Sequence, residues 1–183
     1  MKIVIETERL LLREVEYTDD LDLFEMDSDP EVHLYIENKP VKSIDEIHKY
    51  ITLLKKQYKE NGIARWAVID KLTNECVGWS GLKYFNQPLN NNHNFYELGY
   101  RFKKKHWGKG FATESSKAIL DYGFKKLNMD TIYAITDSEN KNSKKVLTKL
   151  GFDFIKTFDY GGTLTNWFEL KKTTWEDKKE ISC

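Results

Sequence analysis

Gly108 and Gly110 flank Lys109 within the run Lys105-His106-Trp107-Gly108-Lys109-Gly110-Phe111-Ala112-Thr113-Glu114. A strand-like segment, residues 95–102, leads into this run, and a helix-like segment, residues 112–127, leads out of it. The first N–H groups of a helix have no partner inside it and sit at the positive end of its dipole. Glycine lets the main chain approach an anion closely and adopt positive φ. Residues of these types in this order are suited to holding phosphate. The expectation is a phosphorylated cofactor.

Two familiar phosphate loops do not fit. A P-loop reads Gly-x-x-x-x-Gly-Lys-[Ser/Thr], and here Gly110 follows Gly108-Lys109. A dinucleotide fingerprint reads Gly-x-Gly-x-x-Gly after an early strand. Thr113 stands where its third glycine belongs, and the loop lies past the middle of the chain. An NAD-dependent oxidoreductase is therefore the disfavoured alternative.

A third loop fits. Lys105-x-x-Gly108-x-Gly110 resembles the Arg/Gln-x-x-Gly-x-Gly/Ala motif of the GNAT acyl-CoA N-acetyltransferases, with Lys105 in place of Arg or Gln. Glu97-Leu98-Gly99-Tyr100 upstream and Asn140-Lys141-Asn142-Ser143 downstream, running on to Gly151-Phe152, keep that family's order. Thr7-Glu8-Arg9-Leu10-Leu11-Leu12-Arg13 and Asp29-Pro30-Glu31-Val32 are similar to the branch that includes the ribosomal-protein N-terminal acetyltransferases. The resemblance covers residues 5–171. It implies an α/β (α+β) GNAT fold, a central mixed and mostly antiparallel sheet flanked by helices. It also implies acetyl-CoA (coenzyme A) as co-substrate, no metal, and direct attack by an amine in a ternary complex. The cofactor-binding residues it implies are Tyr100, Arg101, Phe102, Lys105, His106, Trp107, Gly108, Lys109, Gly110, Phe111, Ala112, Thr113, Asn140 and Ser143. Backbone amides of residues 100–102 would meet the thioester oxyanion.

Acetyl transfer to an amine requires a neutral nucleophile, a stabilised oxyanion and a tolerated thiolate. At neutral pH a lysine-like amine of pKa ~10.4 costs roughly 4 kcal/mol to deprotonate, and an α-amine of pKa ~8 nearer ~1 kcal/mol. Glu97 is the leading base, working directly or through water, and Asp137 is the runner-up. Their structural alternatives are an ion-paired strand residue and a turn cap. Where much of the family carries a tyrosine near the coenzyme sulfur, this chain has Leu147, which has no proton to give. Ser143 matches a serine used in the ribosomal branch and is the candidate donor to the thiolate. Its structural alternative is an ordinary serine at a helix start. A thiol pKa of ~8.5 also lets the leaving group depart without an acid. A protein N-terminal α-amine is the favoured acceptor. A small amine such as a polyamine or an antibiotic, and a non-catalytic acyl-CoA-binding module, are the alternatives.

The elements that must position these residues can be read from periodicity. Residues 9–15 suggest a first strand, and Thr18 a helix N-cap. Ser43-x-x-Glu46 is a capping box with Ile44, Ile47, Ile51, Leu54 and Tyr58 at helical spacing behind it, closed by Asn61-Gly62. Residues 65–70 and 76–85 form a hairpin. Residues 86–94 read as a polar loop that could gate an acceptor, and 95–102 as a strand. A strand over 131–136, a short helix over 143–150 and a closing hairpin around Gly161-Gly162 follow. Residues 1–172 are expected to form a single domain, with 173–183 a charged, fraying tail. Trp66, Trp79, Tyr84, Tyr35, Trp107 and Trp167 are large aromatics that belong to a core or line a groove.

With 183 residues the chain suffices for a real core. Its 29 basic and 29 acidic residues cancel, which argues against nucleic-acid binding. Charge is locally uneven, with Lys103, Lys104, Lys105, His106 and Lys109 crowding the loop, where they could attract phosphate. Two cysteines make no disulfide framework, and the four histidines show no metal-ligand spacing. No apolar run is long enough for a membrane span. A cytoplasmic monomer or homodimer acting on an amine-bearing protein or small molecule is the resulting expectation.

Overall fold

The computed structural model describes residues 3–36 and 38–181. The order is β1 (Ile3–Glu6), β2 (Leu10–Arg13), α1 (Asp20–Asp27), α2 (Pro30–His33), α3 (Ile44–Asn61), β3 (Arg65–Asp70), β4 (Glu75–Phe85) and β5 (Phe95–Phe102). Then come α4 (Phe111–Asp121), β6 (Thr131–Asp137), α5 (Lys141–Leu150), β7 (Asp153–Tyr160), β8 (Thr163–Lys171) and α6 (Lys172–Ile181). The eight strands form one mixed sheet in the order β1-β2-β3-β4-β5-β6-β8-β7. Among the described residues only the β5–β6 pair is parallel.

That pair makes the opening. Strand β5 stays paired with β4 from Phe85↔Phe95 to Gly78↔Phe102, but meets β6 at the single register pair Glu97↔Tyr133. Beyond Glu97 the two parallel strands part. Successive residues of a strand project to opposite faces of its sheet. Arg101 reaches Asp27 of α1 while Tyr100 reaches Ser143 of α5, so α1 and α5 lie on opposite faces. Leu82, Leu98 and Phe102 are buried with Ile119, Leu120, Phe124 and Leu147, and the helices across the sheet bury Leu23, Met26, Ile47, Ile51 and Leu54. The apolar stripe read for residues 44–61 is thus the buried face of α3. The Ser43 amide donates to Glu46 Oε1 at 3.2 Å, and Gly62 ends the helix at φ +71°.

Several boundaries differ from the sequence expectation. Strand β2 is shorter than 9–15, and β1, which was not expected, pairs against it. Thr18 lies inside a 3-10 turn, Tyr17–Asp19, and caps nothing. The turn is fixed by Asp19, whose carboxylate takes both Arg13 Nη atoms, at 2.6 and 2.7 Å, and the Glu16 amide at 2.8 Å. The helix expected to reach residue 127 is α-helical only to Asp121 and continues as a π-turn, Tyr122–Lys126. Of the segment 173–183 expected to fray, residues 182–183 lie outside the described residues, and 173–181 belong to helix α6. Its Trp175 is buried and donates from Nε1 to Asp121 at 2.9 Å, a long-range anchor that composition does not reveal. No helix among the described residues is long and apolar enough to cross a membrane.

Candidate active site

Two helix amino ends and the parted sheet converge on one cavity of about 430 Å³. Its walls are the end of β5 (Tyr100, Arg101, Phe102), the Gly loop (His106, Trp107, Gly108, Gly110), the start of α4 (Phe111, Ala112, Thr113), and the start of α5 (Asn140, Asn142, Ser143) with Val146. Glu31, Val32, Tyr35 and Ile36 close it from the side of α2.

The loop owes its shape to its glycines. Gly108 and Gly110 take φ of +75° and +84°, values at which a side chain is strained. Gly110 is the N-cap of α4, so the amides of Phe111, Ala112 and Thr113 have no carbonyl one turn back to bond. Asn140 caps α5 by accepting the Ser143 amide on Oδ1 at 3.0 Å. α4 therefore presents uncompensated N–H groups, and both helices turn the positive ends of their dipoles, to one volume. That donor set fits an elongated ligand carrying phosphate at one end.

The lysines of the loop behave differently from the expectation. Lys103 is 2% exposed, and its Nζ lies 2.6, 2.7 and 2.8 Å from Asp22, Glu25 and Glu75. Those three carboxylates are close enough together to hold a metal ion, but the Lys103 ammonium stands among them. Lys105 pairs with Glu25 and Glu75 at 2.9 and 2.8 Å, and Lys104 with Glu31. Lys105 and Lys109 do not line the cavity. Burial alone would raise the Glu75 carboxyl, but hydrogen bonds from Lys103 and Lys105 outweigh it and hold the group at about 2. Burial, reinforced by the Lys109 charge, lowers His106. The neutral ring then accepts from Lys109 at Nδ1 (3.2 Å) and donates from Nε2 to Glu75 (3.3 Å).

Glu97 is buried and ion-paired with Arg65, whose Nη1 also donates to the Glu97 and Gly81 carbonyls at 2.8 and 2.6 Å. The guanidinium fits because Gly99 has no side chain: a Cβ there would lie 2.5 Å from Arg65 Nη2. Burial raises the Glu97 carboxyl, opposed by Arg65. Glu97 is absent from the cavity wall, projecting to the face opposite Tyr100 at the point where β5 and β6 part. Asp137 takes the Glu139 amide at 2.7 Å, the turn-capping role that was its alternative. Of the aromatics, Trp66, Trp79 and Trp167 are buried, whereas Tyr35 and Trp107 line the cavity. Trp107 Nε1 donates to the Phe102 carbonyl at 2.8 Å, tying the loop to the strand before it.

The two N-terminal motifs, residues 7–13 and 29–32, both serve the site. Glu31 and Val32 turn out to be cavity wall. Thr7 and Arg9 clamp the loop from below. Thr7 Oγ1 and the Arg9 amide bond Glu114 Oε1 at 2.7 and 3.0 Å, Arg9 Nε bonds Oε2 at 2.7 Å, and Arg9 Nη1 bonds the Lys109 carbonyl at 3.0 Å. These hydrogen bonds outweigh burial and lower the Glu114 carboxyl. The motif was visible, but its partner lies too far along the chain for spacing to name it.

Comparison with known proteins agrees with this geometry. The family described as Acetyltransferase (GNAT) domain matches residues 9–153. An uncharacterized N-acetyltransferase p20 of Bacillus licheniformis is 36% identical over 146 residues, 80% of each chain. Among solved structures, a GNAT-family acetyltransferase from Bacillus anthracis superposes with a TM-score of 0.76 at 27% identity, over 92% of this chain and 98% of its own. A spermidine N-acetyltransferase from Vibrio cholerae, in complex with CoA and spermine, shares the fold with a TM-score of 0.73 at 23% identity, over 93% and 99%. A sheet parted beside a glycine-capped helix, and a match running from Arg9 through the Gly loop to β7, lead to one assignment: the chain belongs to the GNAT family of acetyltransferases.

Proposed function

We propose that this acetyltransferase moves the acetyl group of acetyl-CoA directly to a primary amine, with a protein N-terminal α-amine as the preferred acceptor. The observation that carries the cofactor half is the convergence of two helix amino ends on the cavity between β5 and β6. In this reading the amides of residues 108–113 hold the pyrophosphate, Asn140 steadies the pantetheine arm, and Ser143 donates to the sulfur. The Lys103 amide donates to the Val77 carbonyl, at 3.0 Å. Backbone groups alternate along a strand, so the Tyr100 and Phe102 amides point to the parted side, where an oxyanion would form.

The acceptor approaches from the face bearing Glu97. Because Glu97 is set back from the cavity, it accepts the amine's proton through water. Charge favours a single amine over a polycation. The only carboxylate among the described residues of the cavity wall is Glu31, and Lys104 already pairs with it. The Lys83 ammonium stands beside Glu97, over the Phe85 ring at 4.4 Å, and burial lowers its pKa. A small amine is the second reading, supported by the solved neighbour's spermine complex.

Thermal unfolding with acetyl-CoA, and with NAD as the control, tests the cofactor. A ligand at a hundredfold excess over its Kd adds ~2.7 kcal/mol, a rise of roughly 5–10 °C for a chain of this size. A rise with acetyl-CoA alone is expected, and its absence would remove the reading. Acetylation of an N-terminal peptide against spermidine then separates the acceptors. Glu97→Gln is expected to abolish transfer while leaving coenzyme A binding intact, whereas a mere binding module would show no transfer from either protein.

A further inference from the structure

We propose that Tyr100 is a positioning residue that aims the Ser143 hydroxyl proton into the cavity, supplying from β5 what Leu147 cannot supply from α5. The inference rests on the acetyl-transfer reading. The Tyr100 hydroxyl lies 3.0 Å from Ser143 Oγ and 3.3 Å from the Ser143 carbonyl. Both residues line the cavity. Leu147 lies one turn further along α5, buried, with no polar atom to offer.

A serine hydroxyl has one proton to give and two lone pairs to share. Left alone near a helix start, it commonly turns that proton back onto main-chain carbonyls. The Tyr100 phenol has one proton and two acceptors in reach; as the more acidic hydroxyl, lying nearer Ser143 Oγ (3.0 Å) than the Ser143 carbonyl (3.3 Å), it serves in this proposal as the donor to Oγ. Burial holds the Tyr100 hydroxyl above the usual phenol range, which keeps its proton in place. The Ser143 amide is already fixed by Asn140 at 3.0 Å. With an incoming donor on Oγ and the backbone pinned, the serine proton is free to point at the space between the parted strands. Successive hydrogen bonds in a shielded site also strengthen one another.

The chemistry balances without a proton being spent by either hydroxyl. The amine nitrogen bonds to the acyl carbon, and the carbon–sulfur bond breaks with its electron pair going to sulfur. The proton lost by nitrogen leaves through water. Ser143 shares its own proton with the thiolate as a hydrogen bond and keeps it, and the thiolate later takes a proton from solvent.

Tyr100→Phe removes the hydroxyl and leaves the ring. The expected result is a fall in kcat of about tenfold, the scale of one charge-assisted hydrogen bond, with KM for acetyl-CoA within about twofold. Ser143→Ala should fall by a similar factor, and the double variant no further than Ser143→Ala alone. A second readout needs no turnover. The thiol of bound coenzyme A, titrated by its ultraviolet thiolate absorbance, should ionise at a lower pH in the wild type than in either single variant. Unchanged kcat in Tyr100→Phe, additive losses in the double variant, or a bound thiol that titrates alike in all proteins would each return Tyr100 to a packing role. Wild-type protein that binds coenzyme A but acetylates no amine would sink the transfer reading instead, and the thiol titration would still decide Tyr100.

Discussion

The two faces of β5 are built on opposite terms. On one, Glu97 and Arg101 are charged, and each is matched: Glu97 by Arg65, Arg101 by Asp27 at 2.7 Å with its guanidinium over Trp79. On the other, Tyr100 and Phe102 are uncharged, and their neighbours are a hydroxyl and an indole. Charge taken out of water must be paired where it stands, which fixes that face and leaves little of it free to move. A neutral hydroxyl pair can wait in a cavity at small cost and respond when negative charge arrives. The same strand thus carries paired charges on its odd residues, among them Glu97 and the cavity-wall Arg101, and turns uncharged groups to the cavity with Tyr100 and Phe102.

The sharpest way to break this contrast is to strip the pair on the charged face. Arg65→Met leaves the Glu97 carboxylate buried without its partner, and about 3–5 kcal/mol should be lost in denaturant unfolding at neutral pH. Burial already raises Glu97, so the variant carboxyl titrates higher still. The loss should shrink on acidification, as the group takes up a proton, and a pH-independent loss would mean that packing rather than charge is responsible.

On the cavity side, Gly110→Ala forces a side chain into φ +84° at a cost of about 1–2 kcal/mol. Coenzyme A binding by calorimetry should weaken along with it. Arg9→Ala opens the clamp on Glu114 and the Lys109 carbonyl without touching the cavity wall. Loss of such hydrogen bonds is worth about 1 kcal/mol, so KM for acetyl-CoA should rise roughly fivefold with kcat nearly unchanged. Unaltered KM would make Thr7 and Arg9 a structural buckle only.

The smallest effect is expected at the lysines beside the loop. Lys105→Ala removes a half-exposed pair and should cost at most about 1 kcal/mol. Coenzyme A affinity should stay within about twofold, and a large drop would restore Lys105 as a phosphate ligand. Glu75 sets the pH sense of this region. Its folded value of about 2 lies below the ordinary 4.5, so its ionised form stabilises the fold above pH 4.5. That contribution is lost as pH falls from 4.5 toward 2, and Glu75→Gln should flatten this part of the acid limb.

Local signals read well. The capping box at Ser43, the stop at Gly62 and the glycine turn into α4 all depend on residues within a turn of one another, and all stand where periodicity and turn chemistry put them. What the sequence left out was longer in range. Residues 173–183 read as a charged tail because the anchor of α6, Trp175 on Asp121, joins two distant segments. Composition showed the positive charge of Lys103 and Lys105 but not its partners, because Asp22, Glu25 and Glu75 come from elsewhere in the chain.

By itself the sequence determined the order of elements, the phosphate-holding turn and the family resemblance, since each rests on backbone preferences and spacing along a few residues. Only the tertiary structure decided which charges are spent on one another, where β5 and β6 part, and that Tyr100 meets Ser143. Those facts depend on which distant segments share a face, and pairing at a distance is set by packing the whole chain around one core.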